Sequence, residues 1–172
     1  KLNLRLATHK LKDEVIKPVL DIFSAQAKTQ QVELLLVAEM PEVEVVIDRM
    51  RCQQIFINLI SNAIKFSAPL DKILVTIEKP MLVEKNKWSF TFKVTDQGMG
   101  LNDEDRSRLF TPFFRSSSKE NRDANVNSHG IGLNFSKRLA NALDGDLTLD
   151  PDYRNGCQFI FTINLNRIIR AK

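Results

Sequence analysis

The chain reads as an α+β domain, a two-layer α/β sandwich whose mixed, mostly antiparallel sheet is covered on one face by three helices. Three segments repeat apolar residues at three- and four-residue spacing, while about seven short segments alternate apolar and polar residues. Most of the strand-like segments follow one another through short polar turns, the connectivity of hairpins. A polar stretch of about thirty residues, Gln97 to His129, interrupts this series, and so long a loop in a compact domain is usually a functional lid or disordered. At 172 residues the chain fits a single domain spanning 1–172.

Leu2, Leu4 and Leu6 alternate and predict a first strand. A helix follows over Leu11 to Gln30, with Val15, Val19, Ile22 and Phe23 on one face and Pro18 disturbing its first turn. Val32 to Ala38 and Val43 to Ile47 read as a hairpin pair broken at Met40-Pro41. The strongest helical pattern is Cys52, Ile55, Phe56, Leu59, Ile60, Ala63 and Ile64. Ile73, Val75 and Ile77 then alternate, as do Trp88, Phe90, Phe92 and Val94, with a polar loop around Glu84 to Lys87 between them. The third helix is expected from Gly130 to Leu143, ending on Gly145 as a left-handed cap. Two strands close the chain, the last alternating Cys157, Phe159, Phe161, Ile163 and Leu165.

Composition excludes several functions. A net charge of +4 is mild for this length, and its densest cluster, Arg115, Lys119 and Arg122, sits in one loop beside a glycine motif. That suits a phosphate-bearing small ligand better than a nucleic acid, which would need a basic stripe with exposed aromatics. Cys52 and Cys157 fall on apolar faces and read as buried small hydrophobes. The longest apolar run, Leu34 to Ala38, is far short of the roughly 20 residues of a membrane span. The chain opens on Lys1 without a signal-peptide pattern, so the expectation is an excised, cytoplasmic fragment, with any membrane tether supplied by other parts of the parent.

Four groups of residues carry chemistry. Asn58, Asn62 and Lys65 stand at i, i+4 and i+7, within roughly 60° of one another on a helix and spanning about 10 Å. Two amides and an ammonium along that length suit a magnesium-bound polyphosphate, since magnesium takes oxygen ligands and shares phosphate oxygens. Asp96-Gln97-Gly98-Met99-Gly100 follows a strand; its aspartate can accept from a base's exocyclic amine, and its glycines permit close backbone approach. His129-Gly130-Ile131-Gly132-Leu133 opens the third helix, where free N–H groups face an anion. Phe110-Thr111-Pro112-Phe113-Phe114-Arg115 places three phenylalanines in the polar loop, where a lid would fold an aromatic over a base and turn Arg115 toward phosphate. Each admits a plain structural reading: a solvated helix face, a common turn, a tight turn before a helix, or a satellite cluster anchoring the loop at Phe110 and Phe113.

Their order is more specific than any one of them. Taken with Asn155-Gly156-x-x-Phe159, the series resembles the GHKL superfamily of ATP-binding domains, and within it the histidine kinases. Ile57-Asn58-Leu59-Ile60-Ser61-Asn62-Ala63-Ile64-Lys65-Phe66 is similar to their N box, and the likeness runs from about residue 2 to 166. The resemblance implies the Bergerat fold, with ATP between the helix layer and a lid at about 97–129. It implies magnesium on Asn62, supported by Asn58; Lys65 on phosphate; and Asp96 on adenine's amine. Gly98 and Gly100 would form the lid hinge, Phe114 and Arg115 the aromatic and phosphate-facing arginine, and Gly130, Gly132 and Leu133 the second glycine box. Catalysis would rest on Asn58, Asn62, Lys65 and Arg115, with γ-phosphoryl transfer to a histidine on a separate dimerisation domain, absent from this chain, and thence to a response-regulator receiver domain. The isolated domain is expected to be monomeric and to touch neither nucleic acid nor membrane. The lid, from about Asn102 to Ser128, is expected to be mobile until nucleotide binds.

Two positions depart from the family pattern: Ser128 replaces the first glycine of the second glycine box, and Cys157 stands where Ser or Thr is usual. His9 is not expected to be a phosphoacceptor, because Lys10 rather than an acidic residue follows it and Asn58 lies only 49 positions on. His129 reads as a tolerated lid variant. Rival readings are a GHKL ATPase and a non-enzymatic nucleotide sensor. The ATPases carry a glutamate base one turn before the metal asparagine; here Asn58 stands there, and an amide takes no proton at neutral pH.

Overall fold

The computed structural model describes residues 2–117 and 132–168. Its elements in chain order are β1 (Ala7–Lys10), a π-helical turn (Leu11–Ile16) running into α1 (Lys17–Thr29), β2 (Glu33–Ala38), β3 (Glu44–Ile47) and α2 (Arg49–Phe66). There follow β4 (Lys72–Ile77), β5 (Met81–Glu84), β6 (Lys87–Thr95), α3 (Asp103–Arg108), α4 (Gly132–Ala142), β7 (Gly145–Leu149) and β8 (Gln158–Ile168). The strands form a sheet of order β1-β3-β8-β6-β4-β2, with β5 added to β6 and β7 to β8. All ladders are antiparallel except β2 with β4. The α+β sandwich is therefore as expected, with α1, α2 and α4 in one layer.

Helix α2 is the spine of that layer. Asp48 caps it, its carboxylate accepting from Arg51 N at 3.3 Å, and all seven residues of the apolar stripe are buried. Phe56 meets Phe92 edge-on at 5.1 Å and Phe161 at 5.6 Å, so the helix is pinned to the central strands by aromatic packing.

Tertiary pairing overrode several local expectations. The first strand is Ala7–Lys10, in register with Glu44–Ile47, whereas Leu2, Leu4 and Leu6 remain exposed. Alternation supplied a pattern there but no partner; Arg5 N–H turns instead to Asp48 Oδ2 at 2.9 Å. Across the π-helical turn and α1, Ile22 is 63% exposed while Ile16, Val19, Phe23 and Ala27 are buried. Those four share one stripe, and Ile22 lies about 110° from its centre. Pro18 falls in the first turn of α1, where its missing N–H costs nothing, which explains why the α-helical register begins there.

The expected hairpin of β2 with β3 does not form. Residues Glu39 to Val43 cross the end of the sheet instead, from Glu39 N–H on Ile77 O (2.8 Å) to Val43 O accepting from Leu11 N–H (2.9 Å). Parallel pairing with β4 sets Leu34 beside Ile73 and Leu36 beside Val75, one apolar row against the core. The polar loop near Glu84 contributes the extra strand β5, closed by Asn86 at φ 63°. After α4 the left-handed residue is Asp144 (φ 62°), not Gly145. Gly145 opens β7 and has to be glycine for a different reason: a Cβ would lie 2.0 Å from Thr162 O. No described helix is long and apolar enough to cross a membrane.

Candidate functional site

Two motif glycines far apart in sequence, Gly132 and Gly98, meet α2. Asn58 Nδ2 donates to Ser136 Oγ at 2.7 Å and to Gly132 O at 3.3 Å, fastening α2 to the start of α4. Eight residues further on, a Cβ at Gly98 would lie 2.4 Å from Phe66 O, so only glycine lets the turn after β6 close on the end of α2. The two contacts bracket about 12 Å of helix, and between them lie Asn62 and Lys65, both half-buried. Lys65 Nζ sits 5.8 Å from the Phe66 ring centroid, and burial lowers its pKa from the usual lysine value.

Asp96, just past β6, is almost fully buried. Its Oδ1 accepts from Gly98 N at 2.9 Å and Cys157 N at 3.1 Å. Burial raises its pKa, and these two N–H groups only partly oppose that. Among the described residues both donors converge on Oδ1 rather than Oδ2. Its own carbonyl accepts from Tyr153 Oη at 3.0 Å. Gly156 is held at φ 134°, where an added Cβ would lie 2.2 Å from that same carbonyl oxygen. Gly100 (φ 71°) packs against Gly156. Cys157, in the position usual for Ser or Thr, keeps the main-chain donor while burial pushes its thiol up to about 12.

The Phe-rich segment divides by role. Phe110 stacks edge-on against Phe159 at 6.3 Å, under Lys137 Nζ at 5.0 Å, and its carbonyl accepts from Asn134 Nδ2 at 2.7 Å. Of the two readings open for Phe110, a lid aromatic over a base or an anchor for the loop, this packing is the anchor. Phe113 is not an anchor: it is 72% exposed, at φ 58°. Phe114 packs partly on the core and Arg115 is exposed. Leu133 is half-buried; Gly130, Ser128, His129, Lys119 and Arg122 lie outside the described residues. The stretch expected to be mobile, 102–128, carries in its described half the helix α3, which was not expected.

Sequence reading missed Ser136, Tyr153, Asp105 and Arg106. Asp105 was within reach: Asn102 followed three residues later by an acid, with Asp103 and Glu104 between, is a helix-start signal. Nothing local marks the other three, whose partners lie 78, 57 and up to 47 positions away.

A helix face with two amides and an ammonium, with a buried carboxylate and a glycine-dependent backbone contact at one end, is an arrangement that suits an adenine nucleotide. The family model described as histidine kinase-, DNA gyrase B- and HSP90-like ATPase matches residues 47–167, and the chain belongs to that family. Among its relatives, the signal transduction histidine-protein kinase BarA of Escherichia coli K12 is 32% identical over 154 residues, 90% of this chain and 16% of that protein. The autoinducer 2 sensor kinase/phosphatase LuxQ of Vibrio harveyi is 28% identical over 151 residues, 87% of this chain and 17% of that protein. The chain thus spans about a sixth of these relatives. The crystal structure of full-length ShkA in complex with AMPPNP superposes with a TM-score of 0.77 at 22% identity, covering 98% of this chain and 33% of that one.

Proposed function

We propose that this domain binds magnesium-ATP and donates its γ-phosphoryl group to a histidine on a separate dimerisation domain, from which a response-regulator receiver domain is charged. The reading rests above all on the convergence of Asn58, Asn62 and Lys65 with Asp96 along one helix. Adenine sits at the Asp96 end, its amine donating to Oδ2, and the phosphates run back along α2 toward Asn58 and Gly132. The donor set fits magnesium: amide oxygens from Asn62 and Asn58 are hard, neutral ligands that leave room for waters and phosphate oxygens. When bound, the ion neutralises charge that builds on the phosphates. Lys65 and Arg115 face the same charge, the latter from a lid at about 97–129 that also contains Phe114 and is hinged at Gly98 and Gly100; Gly130, Gly132 and Leu133 close its far end.

The competing ATPase reading requires a base for water beside the metal. Asn58 cannot remove a proton, and its amide nitrogen is already engaged with Ser136 and Gly132. The nucleophile is therefore supplied from outside, which is kinase chemistry. A single domain over 1–172, monomeric in isolation and working in the cytoplasm without nucleic acid or membrane contact, completes the reading. Titration of a fluorescent ATP analogue is expected to require magnesium, and Asn62→Ala to weaken binding by about tenfold or more with an unchanged circular dichroism spectrum. Equal affinity in Asn62→Ala removes the metal assignment. Labelled ATP is then expected to transfer acid-labile phosphate to the parent's dimerisation domain added in trans; no transfer returns the domain to the ATPase or sensor class.

A further inference from the structure

The segment that carries Phe114 and Arg115 is tied down at both ends. Its near end is Phe110, held by Phe159, Asn134 and Lys137 as described above. Its far end is held by Asp105, the fully buried carboxylate of α3. Asp105 accepts from Ser116 Oγ and, through both oxygens, from Ser117 N at 3.0 and 3.1 Å. Asn102 caps α3 by accepting from Asp105 N at 2.8 Å, and its Nδ2 donates to Ser117 Oγ at 2.9 Å. Burying a carboxylate is costly unless such donors satisfy it. Here they more than do so: burial would raise its pKa, and the Ser116 and Ser117 donors bring it below the usual carboxylate value.

The neighbouring Arg106 fixes α3 to the rest of the site. Its guanidinium donates to Leu101 O (3.2 Å), Asp150 O (3.1 Å) and Tyr153 O (2.9 Å), and Tyr153 in turn holds the Asp96 carbonyl. Arg154 adds a contact to Asp103 at 2.8 Å. One continuous set of bonds thus runs from the Asp96 end to the residues directly after Arg115.

We propose that Asp105 is a positioning residue for Arg115, its carboxylate setting the path of the 110–117 strap so that the exposed guanidinium meets the outer phosphates of the nucleotide. The proposal rests on the reading of Arg115 as a phosphate contact. Asp105 touches no substrate; it acts only through Ser116 and Ser117.

Affinities for ATP and AMP, measured by calorimetry on this chain, separate positioning from folding, because AMP lacks the outer phosphates. Arg115→Ala is expected to weaken ATP about tenfold and AMP less than about twofold, the scale of one lost charge-assisted contact. Asp105→Ala is expected to do the same, and the double variant to be no worse than either single one. Asp105→Asn, whose Oδ1 still accepts from Ser117 N–H, is expected to keep most of the ATP affinity. Equal loss for AMP and ATP in Asp105→Ala, or additive losses in the double variant, overturns the proposal. Should Asp105→Ala fail to fold, Ser116→Ala decides: ATP weakened about threefold with AMP unchanged supports it, and unchanged ATP overturns it. If Arg115→Ala leaves ATP affinity intact, the phosphate reading itself fails and the proposal falls with it; if only Asp105→Ala and Ser116→Ala are silent, the proposal alone falls.

Discussion

At the scale of single residues, Asp96 has the most directly testable chemistry. Its pKa is raised by burial, so ionisation works against the fold: the stabilisation from its neutral form is full below the ordinary carboxylate value of about 3.9 and is lost as pH rises through the higher folded value. A donor from adenine favours the ionised form. Nucleotide binding should then release a proton in the window where Asp96 titrates, and affinity should fall as pH drops through it. Calorimetry in buffers of different ionisation enthalpy measures that release. In Asp96→Asn the main-chain bonds from Gly98 and Cys157 can persist, but an amide N–H₂ can now face adenine's amine, a mismatch of about 1–3 kcal/mol. ATP affinity is expected to fall by about tenfold or more, and the proton release to vanish. An Asp96→Asn variant that bound ATP normally would reduce Asp96 to a turn residue.

At the scale of elements, the site depends on how closely the turn after β6 meets the end of α2. A methyl at Gly98 would overlap the Phe66 carbonyl oxygen at 2.4 Å, which is main chain and cannot swing away, and would crowd Asp96 Oδ1 at 3.1 Å. Gly98→Ala is therefore expected to push the Asp96 turn away from α2. The core contacts of Phe56 with Phe92 and Phe161 do not involve that turn, so the fold should survive with a loss of about 1–3 kcal/mol from overpacking. Nucleotide binding should suffer more than stability. Chemical denaturation followed beside ATP titration tests this, and equal affinity in Gly98→Ala would mean that the contact is incidental to the site. Helix α3 belongs to this scale too: its Asn102 cap and Arg106 make the described half of the polar stretch an ordered element, not a featureless loop.

At the scale of the whole molecule, the proposed transfer needs a histidine from outside, because among the described residues the one histidine stands away from α2. His9 lies in β1, an edge strand, paired with Val45, and Asn58 offers no base for water. Incubated with γ-labelled ATP, the chain alone is expected to stay unlabelled and to hydrolyse ATP slowly. Label accumulating on His9, seen as its loss in His9→Gln, would show that this edge strand reaches the site.

What the sequence by itself determined was whatever a short window encodes. The seven-residue apolar stripe of α2, the alternation of β4, β6 and β8, and the motifs at Asn58 to Lys65 and Asp96 to Gly100 were all legible, because helix period, strand period and a strand-end turn are local properties. Tertiary structure decided the rest. Leu2 to Leu6 alternates as well as a real strand does, yet a strand exists only where another offers unpaired N–H and C=O groups, and β3 offers them to Ala7–Lys10. The parallel pairing of β2 with β4 and the left-handed turn at Asp144 rather than Gly145 likewise follow from which surfaces meet. So do the bonds of Ser136, Tyr153 and Arg106, whose partners stand 44 or more residues away apart from Leu101. A side chain's hydrogen-bonding capacity is written in its type, but its partner is chosen only when burial removes water as the alternative.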